Sequence, residues 1–312
     1  MNKLKFSLAD VMTVLTAVAF GFVCFLGSNF YTLGDTKKSV IFAVIITVVL
    51  AGLAYLAKWL KGVEGNFKNS HIAEIAVLVL FTGLLAFFTY SPFSHYFTVS
   101  DRKEEIQSQL SKNITQAQDM FSNYEDYANR RKNLYRRTLE SNIKAGTDFE
   151  KFGIEKNGVS FETQLNNKML TIQSDLFPTN YTDTINNNGL KQVAKNWLAD
   201  GKEKATGWKP IGTVRVVNNI EEKSIGWRND LVNYSIIREK GENEEYVENY
   251  SSDLSFKDLK ANFTNLGKPT PLSIGLAVLA WLLMLLSYLI SKRSTKTTVC
   301  KTTNKGEFDI DY

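Results

Sequence analysis

A chain of 312 residues has room for about two units of ~150 residues, and this one carries 37 Lys+Arg, 32 Asp+Glu and a formal net charge of +5. That excess is not a nucleic-acid signature. Acidic and basic residues balance between Asp101 and Lys268, and the surplus flanks apolar segments, where it reports membrane topology. The two cysteines, Cys24 and Cys300, lie outside the polar stretch, which must therefore fold without disulfides, and the two separated histidines, His71 and His95, argue against a metal cluster.

Three apolar segments come first, over about 11–31, 39–57 and 72–90, and a fourth is placed at about 272–290. Each has the ~20 residues that a helix needs to cross a hydrocarbon core. Aromatic and basic anchors end them: Phe30 and Tyr31, Tyr55 and Trp59, Phe87 to Tyr90, then Tyr288 with Lys292 and Arg293. The first is read as a retained span and not a cleaved leader. No A-x-A site comes after its core, and Ser7 and Asp10 resemble a helix N-cap pair. Lys3, Lys5, Lys58, Lys61, Lys68 and the basic run after Ser291 fall on one side, against only Lys37 and Lys38 on the other. The positive-inside rule then places both termini in the cytoplasm and residues 91–270 outside it.

Small residues recur in spans two and three (Ala43, Thr47 and Ala51; Gly83 and Ala86), as ordinary bundle packing requires. Glu74 is the one acid close to the hydrocarbon. It reads as a carboxylate favoured by its helix N-terminus and in reach of water, the competing reading being a step in a proton path.

Beyond Ser91-Pro92, which break the third helix, Phe93, Tyr96 and Phe97 suit the membrane interface. Ser100 is a good N-cap for a long polar helix over 100–145, roughly 65 Å at 1.5 Å per residue. Its apolar residues step by three and four through Ile106, Leu110, Ile114, Ala117, Phe121, Tyr124, Ala128, Tyr135 and Leu139, interrupted by Arg131. The stripe suits docking more than self-sufficient coiling, so Ile106, Leu110, Phe121 and Tyr124 are candidate interface residues, the competing reading being that later helices of the same domain cover the stripe. Helices are expected over about 162–177 and 189–204. Residues 208–218, 230–239 and 245–251 are rich in β-branched and aromatic side chains and predict a small antiparallel sheet, with a turn at 240–243. A short helix over about 255–265 leads back to the fourth span. The fold class expected is therefore an integral membrane α-helical protein with four transmembrane helices and an α+β soluble periplasmic domain.

No nucleophile, metal or phosphate motif stands in this chain, so neither a catalytic role nor a cofactor is expected. Runs such as Arg130-Arg131-Lys132 read as the solvated face of the long helix. The basic tail 292–312 has too little apolar surface to fold alone. Its end alternates acid with apolar residues, so that Phe308, Ile310 and Tyr312 would suit a strand added to a partner's sheet edge; disorder is the competing reading.

Three N-terminal spans, a helix-then-sheet outer domain, a fourth span and a basic tail together resemble the TssN family, an inner-membrane component of the Bacteroidetes-type type VI secretion system. The residues that carry the likeness are the SLADVM start, the polar helix after Tyr90, and PLSIGLAVLAWLLMLLSYLISKR near the end. The resemblance implies a scaffold in the bacterial inner membrane, a homo-oligomer in contact with the lipid bilayer, with other secretion-system envelope proteins and with cytoplasmic baseplate components of a contractile injection machine. No nucleic acid is implied. The alternative is a membrane receptor with a periplasmic ligand-binding domain, against which stands the shortness of the cytoplasmic segments.

Overall fold

The computed structural model describes residues 7–63, 67–147, 149–156, 158–183, 188–236 and 250–293, with the side chains of 67–69 outside the description. The helices are α1 (Leu8–Tyr31), α2 (Thr36–Gly62), α3 (Phe67–Phe88), α4 (Ser94–Asp101), α5 (Lys103–Ala145), α6 (Phe161–Leu176), α7 (Thr179–Thr182), α8 (Leu190–Thr206), α9 (Pro210–Tyr234), α10 (Lys260–Thr264), α11 (Pro271–Met284) and α12 (Leu286–Ile290). They divide into a membrane unit, residues 1–101 with 264–312, and a second unit, residues 102–263.

In the membrane unit α1, α2 and α3 are each long and apolar enough to span a bilayer. The expected fourth span is divided at Leu285 into the shorter α11 and α12. Ala17, Phe20, Cys24, Ile46, Leu50, Phe81 and Leu85 form the shared core with Ala277 and Met284. The opposite faces expose Leu15, Val18, Ile41, Val44, Val48 and Val79, the apolar surface that a helix presents to lipid. After α3 the chain does break at Ser91 (φ −131°, ψ 85°), passes through a π turn over Thr89–Phe93 and resumes as α4. Here the aromatics turn inward: Phe93 stacks on Phe20 at 4.5 Å and Tyr96 lies 5.9 Å from Phe30. Gly27 permits this approach, since a Cβ there would overlap the Pro92 carbonyl. Of the small residues noted in the sequence, Ala43 is buried and Thr47 faces Gly21 of α1, as bundle packing requires, whereas Gly83 and Ala86 of α3 are exposed, so the packing reading does not extend to that helix.

The second unit is a helical bundle built on α5. The cap of α5 is Arg102 and not Ser100, which lies inside α4, and its C-terminus closes on Gly146 at φ 70°, the left-handed position that glycine favours. Helix α8 runs antiparallel to α5: Gln107 Nε2 donates to the Ala205 carbonyl at one end (2.6 Å), and Lys191 pairs with Glu125 at the other. Helix α6 lies along the far half, where Lys132 reaches Gln173 (2.7 Å) and the Tyr124 hydroxyl donates to the Leu176 carbonyl (2.6 Å). Residues 250–259 return along α5, tied by Tyr250 to the Met120 carbonyl and by Asn113 to Lys257.

The expected α+β domain is overturned: among the described residues of this unit there is no strand. Residues 210–234, which hold most of the first predicted strand and the first half of the second, form the single helix α9. Its buried residues Thr213, Val217, Ile220, Ser224, Trp227 and Leu231 step by three and four. Their spacing outweighs the β-branched content that suggests strands, because propensity is a weak prior against a continuous apolar face. Pro210 occupies the first turn, where its missing N–H costs nothing. The turn at 240–243 and most of 245–251 fall outside the described residues, as do Phe308, Ile310 and Tyr312.

Candidate functional site

Helices α1, α2, α3 and the α11–α12 pair alternate in direction, so the start of α1, the end of α2, the start of α3 and the end of α12 meet at one end of the bundle. The charges buried there form two linked clusters. In the first, Asp10 is only 5% exposed. Its carboxylate accepts from Lys58 Nζ at 2.6 and 2.7 Å, from the Ser7 N–H at 2.7 Å and from the Ser287 hydroxyl at 2.5 Å. One acid thus serves three elements. It caps α1, as the Ser7–Asp10 pair predicts, and it also binds α2 and α12.

The second cluster centres on Glu74, 1% exposed. The Tyr288 hydroxyl donates to Oε1 at 2.6 Å and Arg293 Nη2 to the same oxygen at 2.8 Å. Arg293 Nη1 lies 3.0 Å from His71 Nδ1, which makes that nitrogen the acceptor and leaves its 3.4 Å approach to Glu74 a contact without a proton. Lys61 Nζ donates to the Tyr288 carbonyl at 2.8 Å and sits 4.5 Å over the Tyr288 ring, so a cation satisfies the last turn of α12. Where α11 gives way to α12, the Thr13 hydroxyl donates to the Met284 carbonyl at 2.9 Å.

These contacts act as a clasp. Each carboxylate is bonded to a residue of the α12 region and to a cation, so α12 and the chain leaving it are fastened to α1, α2 and α3. Charges this far from water persist only when paired, and removing one partner of a buried pair typically costs about 3–5 kcal/mol. The local sequence marks Glu74 but points it towards water. Its partners from α12 and Arg293 lie more than 200 positions away in the chain, and no local signal points to them. Lys58, Lys61 and Arg293 stand in the sequence as topological charges; in the fold they also neutralise the clasp.

The candidate interface residues of α5 are placed differently from expectation. Ile106, Leu110 and Tyr124 are fully buried and Phe121 nearly so, within the chain's own fold. Phe121 packs 6.0 Å from Trp227 of α9, and Tyr124 lies 5.1 Å from Tyr250 and 5.6 Å from Tyr181. They are core. Arg131, expected on a solvated face, is buried and donates to the Ser235 carbonyl at the end of α9 and to the Tyr127 hydroxyl. This explains a charge inside an apolar row: it caps a neighbouring helix.

No family model, curated protein or solved structure matches this chain.

Proposed function

We propose that this protein is a structural anchor of a trans-envelope secretion complex: a bacterial inner-membrane scaffold, with both termini cytoplasmic and the helical unit periplasmic, that holds a contractile type VI injection machine. The observation that carries this reading is the double clasp, which ties the chain entering the C-terminal tail to every other span. A scaffold under load needs its membrane segments joined so that force on the tail is shared by the whole bundle. The charge asymmetry across the spans supports the orientation. The likeness to the TssN family supports the assignment through the span order and the tail; its helix-then-sheet element drops out with the helical outer domain.

Affinity purification of the tagged chain from detergent, with mass spectrometry, tests the proposal. Envelope and baseplate components should co-purify, together with additional copies of this chain, and deletion of 307–312 should lower recovery of the cytoplasmic partners alone. Purification of the chain with no envelope partner would overturn it. For orientation, a cysteine placed at the exposed Glu222 should be labelled from outside, while Cys300 stays protected until the inner membrane is permeabilised.

A further inference from the structure

Glu74, Arg293 and His71 close a triangle in the second clasp cluster, and one of its edges depends on a proton. His71 Nδ1 lies 3.0 Å from Arg293 Nη1 and 3.4 Å from Glu74 Oε2. A guanidinium only donates and a carboxylate only accepts, so this nitrogen serves one of them at a time. Without a proton it accepts from Arg293. With one it loses that bond and donates to Glu74. A proton and the guanidinium therefore compete for a single lone pair. The His71 side chain is 42% exposed and that of Arg293 32%, so water reaches both, whereas Glu74, at 2%, must have its charge met from within the cluster.

The surroundings decide which group yields. Among the described residues, the charged and titratable groups around this nitrogen are Glu74 on its own helix, Lys61 of α2, Tyr288 of α12 and Arg293. Lys61 already stands beside Glu74 and Arg293, so a proton on His71 puts three cations around one carboxylate. Lys61 is held by the Tyr288 carbonyl and ring, and His71 by its place in α3. Arg293 lies beyond the last turn of α12, with water at hand to receive it.

We propose that His71 is a proton switch on the chain leaving the membrane bundle: neutral, it helps Glu74 hold Arg293, and protonated, it takes over Glu74 and releases Arg293. Tyr288 keeps its bond to Glu74 and Ser287 its bond to Asp10, so α12 stays fastened while the chain after it is let go. Imidazole is the side chain whose charge ordinarily changes between about pH 5 and 8, which sets the range in which the two arrangements exchange population. The inference needs only the clasp, whichever partner the tail meets.

A nitroxide on Lys292→Cys, an exposed position next to Arg293, tests this in the full-length protein in mild detergent, with Cys300→Ser and the buried Cys24 retained. The label should be mostly immobile at pH ~8 and gain a mobile component as pH falls to ~5. The ratio of mobile to immobile should rise about tenfold, the effect of losing one hydrogen bond to a charged group. His71→Gln, which accepts from Arg293 without titrating, should stay immobile throughout. His71→Lys, a permanent cation, should be mobile throughout, and melting temperature verifies that each variant is folded. Because the chain has only two histidines, a spectrum of the 15N-histidine-labelled protein should show one imidazole, absent in His71→Gln, gaining its Nδ1 proton over the same range. Mobility that ignores pH in the protein with His71, or that still follows pH in His71→Gln, would overturn the switch. So would an immobile label in His71→Lys.

Discussion

In the membrane unit apolar side chains cover the outside of the helices, and the best-paired charges are inside. In the unit 102–263 the arrangement is inverted: α5 carries its ion pairs on the surface and buries a row of Ile, Leu, Met, Phe and Tyr. Both are helical bundles, yet what holds them differs. Outside the bilayer, water drives apolar faces together and a charge gains little from a partner. Within it, lipid is as apolar as the core, so packing, hydrogen bonds and paired charges must hold the helices together.

The contrast breaks most severely if a charge enters the water-driven core. Ile106→Asp or Leu110→Asp buries an unpaired carboxylate at a fully buried site and should cost at least ~4 kcal/mol. Loss of the protein's abundance measures it; normal abundance with a lost complex would return these residues to an interface. Next is the clasp. Lys58→Ala leaves Asp10 buried without its cation and should destabilise by ~3–5 kcal/mol, read as a drop in melting temperature in detergent. Adding Asp10→Asn should recover a large part of that loss, because the uncompensated charge goes with it.

A smaller effect belongs to the aromatic cluster. Burial pushes the Tyr124 hydroxyl up from its ordinary range, and burial with the hydrogen bond to Glu125 does the same for Tyr181. The unfolded chain ionises these phenols near pH ~10 while the fold keeps them neutral, so their contribution is whole below that pH and declines above it. Denaturant unfolding from about pH 8 to 11 should show this decline, reduced in Tyr124→Phe, which also loses ~1 kcal/mol with the bond to Leu176. The smallest effect belongs to the exposed pair Lys204–Asp200 of α8, where Lys204→Ala should change stability by no more than ~1 kcal/mol. A loss there as large as at Lys58 would erase the distinction between the units.

The sequence by itself determined the features that local period and solvent dictate. Twenty-odd apolar residues with anchored ends specify a span whatever the rest of the chain does. The long helix was legible from its three-four stripe, and its C-terminus from Gly146. The stripe of α9 was equally present in Thr213, Val217, Ile220, Ser224, Trp227 and Leu231, but Val and Ile propensities suggest strands and the polar residues between them hide the period. Only the tertiary structure decided which buried face meets which. A stripe states that a helix needs a cover and not whether its own chain supplies it, so the place of Ile106 and Leu110 was open until α8 and α9 packed near them. The clasp lay equally out of reach: Asp10 and Ser287, or Glu74 and Arg293, become neighbours only when the fourth helix returns beside the first three. That pairing across the length of the chain turns topological charges into a lock.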